Sequence, residues 1–317
     1  MKVTEHLAKA KNTLISFEII PPKRGGNIQS LMSVLEDIVK YNPPFIDITS
    51  HAAEVMYEET PDGGYRMKVK RKRPGTLGIC ALIQNKYNID AVPHVICQGF
   101  TREETEDFLI ELHYLGIDNV LAIRGDDSGF NKPIKFGRST NKFAIDLVRQ
   151  IKDINEGKYI EDSLLDAYSM DFCIGVGGYP EKHFEAPNLK TDIKYTKQKI
   201  DAGAEYIVTQ MFFDNKKYYQ FVDQCRAEGI EVPIIPGLKI LTNKSQNAAL
   251  PKNFFIDVPD ELSNEIMEAK PEHVLDIGVE WTYKQVEDLL NHGVPSIHFY
   301  IMQKAKPINM LMKKLNI

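Results

Sequence analysis

Ser16-Phe17-Glu18-Ile19-Ile20-Pro21-Pro22-Lys23 sets one carboxylate inside an apolar run and closes the run with two prolines. Alternation along an extended chain puts Ser16 and Glu18 on one face and Phe17 and Ile19 on the other. Proline brings no ladder donor, so the strand stops there and Glu18 sits at its C-terminal edge. In parallel α/β folds that edge is where catalytic groups collect.

Working outward, the same pattern recurs. Short apolar runs over residues 14–20, 45–49, 91–96, 119–123, 172–176, 206–210, 234–237 and 296–300 read as strands, most of them rich in Ile, Val or Phe. Helical patterns lie between them. Thr101 caps a helix over residues 102–115, with Glu104 in the capping-box position and Gly116 as its stop. Leu189, Ile193 and Ile200 mark the apolar stripe of a helix ending near Gly203. Residues 218–228 form another before Gly229, and Val286, Leu289 and Leu290 belong to the helix that Gly293 ends.

Strand–helix alternation repeated about eight times predicts an α/β protein with a parallel sheet, and eight units predict a closed (β/α)8 TIM barrel. An open doubly wound sheet is the alternative. Its dinucleotide fingerprint is missing, since Gly175-Val176-Gly177-Gly178-Tyr179-Pro180 has proline at the third glycine position. With no linker or low-complexity segment, residues 1–317 read as one barrel domain. Two long βα connections stand out, residues 51–77 and 127–135, and loops of that length are usually functional or mobile.

The composition narrows the class. A hydrophobic fraction of 43% and a charged fraction of 26% are those of a globular protein. A net charge of −5 argues against a nucleic-acid partner. The one basic run, Lys68 to Arg73, lacks interleaved aromatics and reads as a solvated helix or loop face. Cys80, Cys97, Cys173 and Cys225 form no C-x-x-C pair, which fits a reducing compartment. The N-terminus has no apolar signal core and no stretch reaches transmembrane length, so a cytoplasmic protein without a membrane partner is expected.

Most strands finish in a polar residue whose parity can point it into the barrel mouth: Glu18, Asp47 and Thr49, His94, Arg124-Gly125-Asp126, Tyr179 with Glu181 and His183, Gln210, and His298 with Tyr300. Burying so many polar groups is costly unless a ligand satisfies them. No H-x-H or H-E-x-x-H spacing, G-x-S-x-G elbow or Walker loop occurs. Lys23 and Lys239 keep a Schiff-base aldolase open. A polar, partly aromatic cleft with one protonatable carboxylate suits a heterocyclic ligand with an anionic tail.

Together the segments SFEIIPPK (16–23), AVPHVIC (91–97), VLAIRGD (120–126), GGYPEKHFEA (177–186), KIDAGAEYIVTQMFFD (199–214), IIPG (234–237) and HFY (298–300) resemble bacterial methylenetetrahydrofolate reductases, catalytic domain only. The resemblance covers nearly the whole chain. It implies a TIM barrel that binds FAD without a Rossmann motif. The implied reaction is reduction of 5,10-methylenetetrahydrofolate to 5-methyltetrahydrofolate, in one-carbon metabolism that feeds methionine biosynthesis. NADH or NADPH is the implied hydride source, in ping-pong exchange through the flavin. A flavin-binding barrel subunit reduced by a partner protein is a further alternative.

By this resemblance Glu18 matches the general acid that opens the folate imidazolidine ring, and a raised pKa is expected there. Asp126 matches the acidic residue beside flavin and pterin, with catalytic, cofactor and substrate contacts. Thr49, His94, Arg124, Gly125, Ala144, Tyr179, His183, Asp192 and Lys199 match flavin-site positions. Asp192 and Lys199 lie seven apart and so share a helix face. Gln210 matches a folate-contacting amide, and Tyr300 and Lys304 match positions near the folate tail.

Three departures stand out. Phe143 replaces a tyrosine, Lys304 replaces an arginine, and the stacking aromatic of the family aligns with Leu250. Lysine is not equivalent to arginine for bidentate carboxylate binding. The resemblance implies a homo-oligomer. With one helix over residues 308–315 after the last strand, no regulatory domain and no feedback by S-adenosylmethionine are expected.

Overall fold

A computed structural model describes residues 1–71, 73, 75–125 and 132–317. In chain order the elements are α1 (Val3–Lys9), β1 (Leu14–Ile19), α2 (Ile28–Val39), β2 (Phe45–Ile48), β3 (Glu54–Glu59), β4 (Tyr65–Lys70) and α3 (Leu77–Tyr87). Then come β5 (Asp90–Ile96), α4 (Arg102–Tyr114), β6 (Asn119–Ile123), α5 (Ala144–Asn155), β7 (Cys173–Gly178), α6 (Leu189–Asp201), β8 (Tyr206–Met211) and α7 (Asn215–Ala227). The chain finishes with β9 (Ile234–Leu238), α8 (Gln246–Phe254), α9 (Asp260–Glu268), a short 3-10 turn, α10 (Val274–Asn291), β10 (Ser296–Met302) and α11 (Lys306–Leu315).

Eight strands close a parallel barrel in the order β1-β10-β9-β8-β7-β6-β5-β2. All eight expected strands are present, within a few residues of the expected ends. The parity read from the first strand holds. Phe17 and Ile19 join the outer core with Leu35 and Ile38 of α2, all fully buried. Each such side chain contributes about 1.5–3 kcal/mol on leaving water.

Inside the barrel, Phe45, Val92, Leu121, Tyr206, Val208 and Ile235 form a separate apolar plug, into which Val3 of α1 fits. The Val3 backbone N–H donates to Asn119 Oδ1 at 2.8 Å, so α1 is pinned across the end of the barrel where the strands begin. Glycines make room for the largest inward side chains. A Cβ on Gly175 would meet the Tyr206 ring at 2.3 Å, and one on Gly237 would meet the Tyr300 ring at 2.6 Å.

The capping box before α4 forms as read: Glu104 N–H donates to Thr101 Oγ1, and Thr101 N–H donates to Glu104 Oε2. The basic run departs from its reading. Lys68 and Lys70 lie on strand β4, which pairs antiparallel with β3 in an exposed hairpin. Tyr65, Met67 and Val69 alternate with Arg66, Lys68 and Lys70 along it, which is strand periodicity rather than a helix or loop face. Lys68 pairs with Glu58 across the ribbon at 2.9 Å. The long 51–77 connection is therefore largely a two-stranded projection.

Candidate active site

Inward-facing polar residues meet toward the C-terminal ends of the strands. Glu18 on β1 is in register with Tyr300 on β10 and with Asp47 on β2. Ser16, one inward position below, is in register with His298 and meets it, Oγ to Nδ1, at 2.8 Å. His94 on β5 reaches across, its Nε2 3.3 Å from Glu18 Oε2 and 3.8 Å from Asp47 Oδ2. The His94–Glu18 approach lacks hydrogen-bonding geometry, and His94 Nε2, His298 Nε2 and both Asp47 oxygens are buried with no hydrogen-bond partner. Such groups are costly in a packed interior and mark a place built for a polar ligand.

Burial dominates the electrostatics. Desolvation pushes the Glu18 carboxyl up to about 7; His94 and Lys239 pull against the rise and Asp47 adds to it. Asp47 is pushed up to about 6 by the same desolvation, opposed by His298. His94 and His298 are both held below the usual histidine range by burial. Glu18 is thus a carboxylic acid that stays partly protonated near neutrality, the property a general acid needs.

A second group lies at the ends of β7 and α6. Asp192 accepts from the His183 backbone N–H at 2.9 Å. Lys199, one helix face along, donates to the Gly177 carbonyl at 2.7 Å. Burial lowers the Lys199 ammonium to about 8, against the pull of Asp192. Arg124 at the end of β6 pairs with Glu185. The Tyr179 and His183 rings meet edge-on at 4.8 Å. A Cβ on Gly177 would rest in ordinary contact with Tyr179 Oη at 3.7 Å and Ile123 Cγ2 at 3.9 Å, so a methyl fits at this partly exposed inward glycine without a clash. Thr49 Oγ1 is buried without a partner. Gly125 takes a positive φ of 85°, which a side chain would resist. Ala144 opens α5, and Phe143 beside it is exposed.

A third group surrounds a cavity of about 260 Å³ that brings Tyr300 and Lys304 together with Lys239, Arg73 and Asn243. Tyr300 Oη donates to the Thr209 carbonyl at 2.5 Å, and Lys239 donates to the Tyr300 carbonyl at 2.8 Å. Gln210 accepts from the Met211 backbone N–H at 3.0 Å. Lys23 is exposed beyond the strand. Asp126 and most of the 127–135 connection lie outside the described residues.

Several residues here were not singled out by sequence. In the sequence Asp47 and His298 stand out only as members of the polar ring, and Gly177 only inside a motif. Leu250 is buried among Met211, Phe213 and Leu241. Two half-exposed aromatics, Phe184 and Phe255, stack instead with centroids 4.7 Å apart, and His183 adjoins Phe184 at 4.6 Å. No sequence signal pairs residues so far apart. Among the described residues no cluster of His, Cys, Asp or Glu could hold a metal ion, and no helix is long and apolar enough to cross a membrane.

The sequence profile described as methylenetetrahydrofolate reductase matches residues 2–316. The chain belongs to the methylenetetrahydrofolate reductase family. Methylenetetrahydrofolate reductase (NADH) 1 of Arabidopsis thaliana is 31% identical over 98% of this chain and 50% of its own length. The 5,10-methylenetetrahydrofolate reductase of Pectobacterium carotovorum is 29% identical over 92% of this chain and 86% of its own. The chain spans about half the length of the yeast and plant family members it matches. Among solved structures, a Clostridium thermocellum protein described as binding two copies of 5-methyl-5,6,7,8-tetrahydrofolic acid superposes with a TM-score of 0.58. It is 16% identical and covers 98% of both chains, a likeness of fold.

Proposed function

We propose that this chain reduces 5,10-methylenetetrahydrofolate to 5-methyltetrahydrofolate with NADH or NADPH as donor, by ping-pong exchange through FAD. The observation that carries the reading is Glu18, a buried carboxyl raised to about 7 at the barrel mouth of a chain from this family. Family membership and the folate and nicotinamide named for its relatives support the substrate and donor.

The residues present fit a flavin dinucleotide. The partnerless Thr49 hydroxyl, the partly exposed backbone without a side chain at Gly177 and the cation of Lys199 are suited to an amide edge, a planar ring and a pyrophosphate respectively. When bound, FAD would supply the hydride-transfer chemistry that links the nicotinamide to the folate. Thr49, His94, Arg124, Gly125, Asp126, Ala144, Tyr179, His183, Asp192 and Lys199 would hold it.

Ring opening is the work of the chain itself. Glu18 gives its proton to a folate ring nitrogen; the ring C–N bond breaks and leaves an electrophilic iminium on the substrate. Burial keeps that proton on Glu18 until the substrate accepts it. Gln210 and Asp126 orient the pterin. Lys304, beside Tyr300 and Lys239, offers positive charge to the tail carboxylates.

Lys239, lowered to about 8 by burial, is the one observation that favours a Schiff-base enzyme. Chromatographic detection of 5-methyltetrahydrofolate after incubation with FAD, NADH and 5,10-methylenetetrahydrofolate tests the main reading. No product with either nicotinamide, together with a borohydride-trapped adduct on Lys239, would replace it.

A further inference from the structure

Glu18 and Asp47 are register partners on adjacent parallel strands, with exposures of 7% and 0%. Two carboxyls side by side away from water do not both ionise readily. Asp47 has no hydrogen-bond partner on either oxygen. His94 stands between the two, within 3.8 Å of each. Asp47 itself touches none of the open space at the mouth, since it is fully buried.

We propose that Asp47 is a positioning residue for the proton on Glu18, the two carboxyls and His94 holding protons as one coupled unit. The proposal rests on the reading of Glu18 as general acid and adds a residue that acts through it. The proton balance is simple. Glu18 loses one proton to the substrate nitrogen and becomes a carboxylate; after product leaves, one proton from water restores the acid. The charge on Asp47 opposes a lasting carboxylate at Glu18, so it favours both holding the proton and taking it back.

Other charges face the pair. Lys239, after β9, favours ionised Glu18, as does His94. Tyr300 faces Glu18 from β10. His298 from β10, Tyr206 from β8 and the Cys80 thiol from α3 face Asp47. With Asp47 neutralised, Lys239 and His94 act on Glu18 unopposed by any nearby anion among the groups that move it.

The test follows the Glu18 carboxyl directly. Protein carrying ¹³C at the glutamate side-chain carboxyls is titrated by NMR, and the Glu18 signal is assigned by its loss in Glu18→Gln. In Asp47→Asn the midpoint for Glu18 should fall by roughly one pH unit. Asp47→Ser, smaller and also neutral, should shift it the same way and stands in if the asparagine disturbs folding. His94→Gln should shift it upward. An unmoved midpoint in the Asp47 variants, or a downward shift in His94→Gln, overturns the proposal. The titration needs no turnover, so its outcome is separable from the proposed activity. A shifted midpoint in a protein that reduces no folate keeps the coupling and removes the reaction. An active enzyme with an unmoved midpoint does the reverse.

Discussion

His94 Nε2 lies 3.3 Å from Glu18 Oε2 inside the barrel mouth, close enough to act on its charge yet without hydrogen-bonding geometry. With no hydrogen bond to His94, the acid proton is free to face a ligand. Replacing Glu18 by Gln keeps the shape and removes the proton. The folate half-reaction should slow by ~10²–10⁴-fold, the usual contribution of a general acid. Reduction of bound flavin by NADH should stay within a few-fold. Rapid-mixing absorbance of each half-reaction separates the two; equal loss in both would place Glu18 in a structural role.

The pH dependence has a definite sign. With Glu18 as the proposed general acid and its carboxyl raised by burial to about 7, folate reduction should decline as pH rises through that value. Flavin reduction by NADH does not use this proton and should lack that limb. The profile of each half-reaction between pH 5.5 and 9, on the order of two units either side of the midpoint, checks this.

Stability carries the same signature in the opposite direction from a salt-bridged carboxylate. Burial raises Glu18 above its unfolded value of 4.5, so between 4.5 and about 7 the folded protein binds more protons than the unfolded one. Stability therefore falls as pH rises through that window. Glu18→Gln removes the penalty, on the order of 3 kcal/mol at most. Its Tm should exceed the parent's by a few degrees at pH 8 and converge with it below pH ~4.5. Calorimetry at the two pH values decides it.

Glycines inside the barrel divide into two kinds. Gly175→Val would drive a side chain into the Tyr206 ring, already 2.3 Å from a bare Cβ, and should cost several degrees of Tm or prevent folding. Gly177→Ala places a methyl in ordinary contact with Tyr179 Oη and Ile123 Cγ2 and should leave Tm within ~2 °C while weakening FAD retention. Lys199→Met should weaken FAD retention too, through the lost cation. Flavin fluorescence during reconstitution reads both. Retention unchanged in both variants would move the proposed cofactor site elsewhere.

The β3–β4 ribbon projects from the barrel with every residue of β4 exposed. Excising residues 54–70 behind a short glycine linker should leave the barrel folded, with Tm lowered by no more than ~3 °C, because little apolar surface is lost. A large loss in thermal unfolding would show that the ribbon props the barrel.

The barrel was legible because each of its strands is a short apolar run bounded by turn or cap residues, and Phe17 and Ile19 had to face the helices once Ser16 and Glu18 faced inward. The ribbon was not, because in Tyr65–Lys70 the charges of one face hide the apolar period of the other. Nor was the plug at α1, since Val3 and Leu7 are two apolar residues in a short polar segment, and Val3 is tied to Asn119, 116 positions away. At the candidate site, Glu18 and His94 could be named from strand parity, and Asp192 and Lys199 only through the family resemblance. The Asp47–His94–Glu18 contact could not, because it depends on how three strands align around the barrel. The pairing of Phe184 with Phe255 depends likewise on where α8 ends, at a residue with φ of 55°.

The most direct test of the account is an anaerobic visible spectrum of the FAD-loaded protein, taken before NADH, after NADH, and after 5,10-methylenetetrahydrofolate. The expected result is a flavin band that bleaches with the nicotinamide and returns with the folate. A band that either nicotinamide bleaches but the folate does not restore would contradict it, as would a protein that takes up no flavin.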